Sequence, residues 1–334
     1  MRVLFALLLL WGSALASPEV QAAQEALEAW LRGALSPTLE DLLRASPEEA
    51  PELLRRYAQF PPPPPGLEVN RKEPRLEGNR VYFPAARGEE VGEVGVVLEG
   101  GRAVRVFYRP EGAGPPAYLF TPGAGLGFLL LSLLWTYLLL TPSPFRARFL
   151  EALALLKERR GLYLFTNALL YGLFALGALL AYALPGLAGG VQALLGGALE
   201  ALGLDRAGEA GVFALAGVIF GWNFTQGLFL TGLLPALLLG WPVLLLNALR
   251  YLVFGFALSP ALLGGVFLLH LPTLLLELQA YILVTFGGLS LLLRVVRGEG
   301  YRRGLKDLLL SFYLGAFFLL LAAWYEAFEV GFLL

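Results

Sequence analysis

Apolar and polar positions are divided unevenly along the 334 residues, and the division predicts two kinds of structure. Before about residue 115, short apolar repeats are set in charged, proline-rich and glycine-rich sequence; beyond it, long apolar runs dominate. In the first part Val20, Ala23, Leu27, Trp30 and Leu31 recur at helical spacing. Leu39, Leu42 and Leu43 do the same behind the capping residues Ser36 and Thr38. Leu53, Leu54 and Tyr57 predict a third short helix ahead of the prolines at 61–65. Segments 80–84, 93–98 and 103–108 are rich in Val, Tyr and Phe, as strands are, with Gly78-Asn79 and Gly100-Gly101 as turns. Residues 17–115 are therefore expected to form a small, water-facing α+β domain.

From residue 116 the pattern predicts a transmembrane helical bundle with spans at about 117–140, 161–184, 211–232, 236–258, 262–293 and 308–330. Each is long enough to cross about 30 Å of hydrocarbon at 1.5 Å per residue. The fifth is the longest, and Pro272 leaves open whether it is one tilted helix or two pieces. Between the first two spans, 145–160 is amphipathic, with Phe149, Leu153 and Leu156 on one face and basic residues on another, as in a helix lying on a membrane surface. The 185–210 connection, with Leu187, Val191, Leu194, Leu195 and Leu199, reads as an interfacial helix or a re-entrant cap.

The first 16 residues have the parts of a secretory signal: Arg2, an apolar stretch over 3–11, and the small-residue site Ala14-Leu15-Ala16. Cleavage after Ala16 is the expectation, and an uncleaved anchor the other reading. With the signal removed, the first domain lies outside and the first span runs inward. The 141–160 connection (Arg146, Arg148, Lys157, Arg159, Arg160) and the 294–306 connection (Arg294, Arg297, Arg302, Arg303, Lys306) then both fall on the cytoplasmic side. The 185–210 connection has Arg206 against Glu200, Asp205 and Glu209. This is the asymmetry of a multi-pass protein of the cytoplasmic (inner) membrane.

Composition agrees. Hydrophobic residues make up 57% and charged residues 15%, against about 45–50% and about 25% in soluble domains. The net charge of −1 gives no footprint for nucleic acid. The absence of cysteine excludes disulfides, thiolate metal sites and cysteine nucleophiles, and a single histidine excludes a multi-histidine metal centre. No G-x-S-x-G or H-E-x-x-H occurs, so no catalytic, cofactor-binding or metal-binding residues are assigned, and an enzyme is not expected. The outer carboxylates Glu68, Glu73, Glu77, Glu89, Glu90 and Glu93 read as a solvated surface.

Polar residues inside the spans are the candidate site, because unpaired burial in lipid is costly. They are Asn167, Asn223, Gln226, Asn247, Arg250, His270, Glu277, Gln279 and Glu326, of which Asn223, Asn247, Arg250, His270, Glu277 and Glu326 are singled out as an intramembrane polar cluster. His270 and Glu277 share nearly one helical face and suit a proton relay. A structural pairing of Glu277 with Arg250 is the other reading, and the preferred one. Gly217 and Gly221 form a G-x-x-x-G, which predicts close packing of the third span on a neighbour.

Two resemblances add to this reading. Helices followed by a curved antiparallel sheet resemble the small cone-shaped NTF2-like domain in element order. From Asn223 onward the chain resembles the stage II sporulation protein M family of integral membrane proteins. The residues that carry it are Asn223, then Asn247 with Gly255, then His270, Pro272 and Glu277-Leu278-Gln279-Ala280. Gly287-Gly288-Leu289, the basic loop over 301–306 and Tyr325-Glu326-Ala327-Phe328 follow. Two positions depart from the family pattern: Thr273 stands where the family places His, four residues before the Glu, and Ala248 rather than Gly follows the second Asn. The resemblance implies a non-enzymatic membrane scaffold or assembly protein, in contact with lipid and with partner proteins of the envelope or membrane. Homo-oligomerisation stays open, and a transporter or channel component using an Arg/His/Glu path is the second functional expectation.

Overall fold

The computed structural model describes residues 17–46, 48–204 and 211–333. The signal segment, and Asp205, Arg206 and Glu209, lie outside the described residues. The chain divides into two compact units, one over residues 1–113 with 193–202 and one over 114–192 with 203–334.

In the first unit the local signals produce three helices, α1 (Pro18–Leu31), α2 (Leu39–Arg44) and α3 (Ala50–Gln59). The Ser17 hydroxyl accepts from the Val20 amide and starts α1, while Thr38 and Asp41 form a reciprocal capping box on α2. Five antiparallel strands follow: β1 (Leu67–Val69), β2 (Arg75–Glu77), β3 (Arg80–Arg87), β4 (Glu90–Glu99) and β5 (Arg102–Pro110). β3 pairs with β4 along one edge and carries β1 and β2 end to end along the other, with Val69 opposite Ala85 and Arg75 opposite Tyr82. The β4–β5 turn is Gly100-Gly101, both at positive φ, a geometry other residues adopt only with strain.

Val20, Ala23, Leu27 and Trp30 of α1 are buried on one sheet face, against Val81, Phe83, Val94, Val96 and Val106. Burial of side chains of this size stabilises by roughly 1.5–3 kcal/mol each. On the other face Phe107 crosses over Gly95, where a Cβ would stand 2.4 Å from the ring. The proline run is tied into this unit. The Pro61 carbonyl accepts from the Trp30 indole at 2.5 Å and from the Ser36 hydroxyl at 3.1 Å, so Ser36 serves the run rather than the α2 cap.

The second unit contains six helices long and apolar enough to cross a membrane, which makes the chain a multi-pass membrane protein in architecture. They are α4 (Pro122–Leu140), α6 (Arg160–Ala183), α8 (Val212–Ala236), α9 (Trp241–Ala257, extended by the short turn Pro260–Leu263), α10 (Val266–Val296) and α11 (Tyr301–Phe328, continued by a π-turn Glu329–Leu333). Between them in the chain lie α5 (Pro144–Glu158) and α7 (Pro185–Ala201), the latter counted with the first unit from residue 193. α10 runs unbroken through Pro272. α11 begins seven residues before the predicted 308, because its first turns put Arg302, Arg303 and Lys306 outward while Gly304, Asp307 and Leu308 face the core.

Small residues set the helix spacing, as expected where lipid gives helices no hydrophobic reason to associate. A Cβ on Gly255 of α9 would stand 2.0 Å from the Phe174 carbonyl oxygen of α6, and one on Gly177 of α6 would stand 2.1 Å from the Leu252 carbonyl oxygen of α9. Gly304 and Gly287 let α10 and α11 approach in the same way. Of the predicted G-x-x-x-G, Gly217 faces Phe128 of α4, but Gly221 faces open space. Gly125 of α4, against the Ala214 backbone, supplies the second close approach.

At one end of the bundle, Arg294 holds Asp307 through Nε at 2.9 Å and Nη2 at 3.3 Å, and the Ser290 hydroxyl donates to the same carboxylate at 2.7 Å. Arg159 approaches Asp307 at 3.5 Å, and Glu299 accepts from Arg294 at 2.5 Å. This network joins the starts of α6 and α11 to the end of α10.

Candidate functional site

The polar residues inside the spans fall into two linked groups. The first is built on α8, α9 and α10. Residues Asn223–Leu233 of α8 are wound as a π-helix, a form that concentrates at functional sites. Its Thr231 hydroxyl donates back to the Gln226 and Gly227 carbonyls, both at 2.8 Å, and accepts from Arg250 Nη2. Arg250 Nη1 donates to Asn247 Oδ1 at 2.8 Å. Asn247 is fully buried and donates through its amide to the Thr285 hydroxyl at 2.7 Å and to the Tyr281 carbonyl at 3.4 Å. The guanidinium carbon of Arg250 lies 4.3 Å from the centre of the Tyr281 ring, a cation–π distance. The Tyr281 hydroxyl donates to Glu277 at 2.9 Å.

Gly227 makes this possible, since a Cβ there would stand 2.4 Å from the Tyr281 hydroxyl. Arg250 and Glu277 are thus joined through an aromatic ring instead of the direct ion pair considered from sequence. A guanidinium stacked on a ring is well suited to this because it is planar and weakly hydrated.

The second group closes between α10 and the π-turn at the end of α11. His270 Nδ1 lies 3.1 and 3.2 Å from the two carboxylate oxygens of Glu329, and the Thr273 hydroxyl donates to Glu329 at 3.4 Å. Glu329 is fully buried. The direct partner of His270 is therefore Glu329 and not Glu277. Glu326 falls within coulombic range of both Glu277 and Glu329, and Glu277 within range of Arg250 and His270. Among the described residues no hydrogen-bond donor reaches Glu326.

Of the six singled-out residues, Asn247, Arg250, Glu277, His270 and Glu326 thus come together through these two groups. Asn223 opens the π-segment and makes no side-chain hydrogen bond among the described residues. Gln226 is exposed. Gln279 and Asn167 belong elsewhere: Gln279 links α10 to α6 by donating to the Tyr163 hydroxyl at 2.7 Å and accepting from Tyr171 at 3.3 Å, and Asn167 donates to the Tyr163 carbonyl.

Sequence reasoning overlooked Glu329, although it falls inside the predicted last span and stands three residues after Glu326. Thr231, Tyr281 and Thr285 were also passed over, because hydroxyls give little polar signal in apolar runs. Among the described residues no three His, Asp or Glu side chains converge where a metal ion would be held. In the first unit Glu93 is not paired with another acid: Arg109 holds it at 2.6 Å and Arg75 at 3.0 Å.

The chain matches no protein-family model, no curated protein and no solved structure.

Proposed function

We propose that this chain is a non-enzymatic membrane scaffold or assembly protein of the stage II sporulation protein M type. Its N-terminal α+β unit, NTF2-like in element order, would face outward from the inner membrane toward envelope or secreted partners. The observation that carries the reading is the division of the chain into two compact units, one with a water-soluble type of core and one built from membrane-length helices. The Arg250, Asn247, Thr231 and Tyr281 network supports it, since Arg250 to Thr231 ties α9 to α8 and Asn247 to Thr285 ties α9 to α10. Recovery from gently solubilised membranes tests the proposal. An envelope or membrane protein should co-purify with the full chain and be lost when the exposed surface of the α+β unit is altered; a chain recovered alone counts against it.

Glu326 favours a second reading, transport. Three carboxylates, Glu277, Glu326 and Glu329, stand near one fixed cation, Arg250, and one histidine. They cannot all be charged without an uncompensated negative charge, so the group is suited to holding and passing a proton or cation. Flux in liposomes separates the readings. If Glu326→Gln or Glu277→Gln abolishes proton or cation movement across vesicles, transport holds; unchanged, leak-level flux in the native chain leaves the scaffold.

A further inference from the structure

A groove of about 990 Å³ opens between the start of α5 and the start of α11. Four cations line it, Arg148 from α5 and Arg302, Arg303 and Lys306 from α11. Its apolar wall includes Phe145, Leu309 and Tyr313. Both helix starts flank predicted spans, so the groove stands where chain leaves hydrocarbon for water. Tyr313 is fixed there, accepting from the Trp135 indole at 3.2 Å and donating to the Phe145 carbonyl at 3.4 Å.

The cations outnumber their partners. Arg148, at 2.7 Å, and Lys306 share the single carboxylate of Glu151. Glu299, the acid that lines the groove, is engaged by Arg294. Among the described residues, Arg302 and Arg303 have no carboxylate partner. Two guanidinium groups in an apolar-walled groove match a ligand with a phosphate at one end and hydrocarbon at the other, because arginine forks onto phosphate oxygens in pairs of hydrogen bonds. Basic pockets between membrane helices hold anionic head groups in this way.

We propose that this groove is a binding site for an anionic phospholipid, with Arg302 and Arg303 on the phosphate and Phe145, Leu309 and Tyr313 along the acyl chains. The inference is independent of the scaffold and transport readings, since it requires only that the helices span a membrane.

The test uses the full chain, delipidated in detergent and titrated with phosphatidylglycerol or phosphatidylcholine while bound lipid is counted by native mass spectrometry. Phosphatidylglycerol should be retained in preference. Arg302→Ala with Arg303→Ala should reduce that preference about 30-fold, at the strength typical of two basic side chains near an anionic surface. Arg302→Lys with Arg303→Lys, which keeps the charge, should lose less and serves as the control for folding. Equal retention of both lipids overturns the proposal, as does an unchanged preference in the alanine pair. Displacement of phosphatidylglycerol by millimolar inorganic phosphate also overturns it, because that outcome describes a simple anion site without use of the apolar wall.

Discussion

Arg250 and Tyr281 are stacked, guanidinium over ring at 4.3 Å, and the Tyr281 hydroxyl carries the interaction on to Glu277. Tyr281→Phe removes the hydroxyl but keeps the ring. It should cost little stability, about 0.6 kcal/mol as for a typical hydrogen bond between membrane groups. Arg250→Ala should cost several times more, because Asn247 Oδ1 loses its donor and the ring loses its cation together. Thermal unfolding of the two variants in one detergent checks the order, and equal losses would remove the ring from its bridging role.

Gly255 and Gly177 hold α9 and α6 at backbone contact. Adding a methyl at Gly255 requires displacing the Phe174 carbonyl, which no side-chain rotation relieves. Gly255→Ala should therefore destabilise by about 1–3 kcal/mol or more, the range for overpacking. Gly172→Ala on α6, where nothing stands within 4 Å, should be near neutral. Size-exclusion profiles and unfolding temperatures of the pair give the comparison.

The sheet makes a parallel prediction with a built-in rescue. At Gly95→Ala the obstacle is the tip of the Phe107 ring, which a smaller side chain removes. Gly95→Ala alone should accelerate amide exchange in β4 and β5, and adding Phe107→Leu should restore part of the protection. Failure of the second change to help would place the strain in the backbone.

Acidification should loosen the junction of α5 and α11. Lys306 and then Arg148 donate to Glu151 and hold its carboxyl below the usual 4.5, and Arg294 does the same for Glu299. A depressed carboxylate contributes stability that is present above the unfolded-state value and lost as pH falls through the folded one. Unfolding temperature should therefore decline below about pH 4.5, and Glu151→Gln should make that decline shallower. Identical acid profiles in the variant and the native chain would assign the loss to other groups.

The membrane helices were legible because twenty apolar residues in a row have few other solutions in water or lipid. The strand segments at 80–84, 93–98 and 103–108 were legible from their branched and aromatic residues, whereas β1 and β2 were not. They are three residues each, and only their partner β3 makes them strands. Pairing of charges was the least legible. Spacing on one helix put His270 beside Glu277, but the histidine meets Glu329 from a helix 59 residues further along. Asp307, directly after the basic loop over 301–306, turns inward to Arg294 while Arg302, Arg303 and Lys306 are exposed, which nothing in the local sequence announces. The π-winding of Asn223–Leu233 leaves no mark in an apolar sequence.

The burial of the six membrane helices bears on the order in which they are made. In the 18-residue apolar stretch of α4 only 11% is buried inside the structure, whereas in that of the last span 56% is. Of the six, α4 therefore gives least to the interior, and α11, made after the other five, brings Asp307 to Arg294 and Glu329 to His270. Until that helix emerges, His270 lacks Glu329 and Arg294 lacks Asp307, although Arg294 keeps Glu299 and Glu158. A chain cut short before residue 301 would leave the His270 ring without its carboxylate partner and, lacking the most buried span, should be degraded faster than the full chain in a pulse-chase experiment.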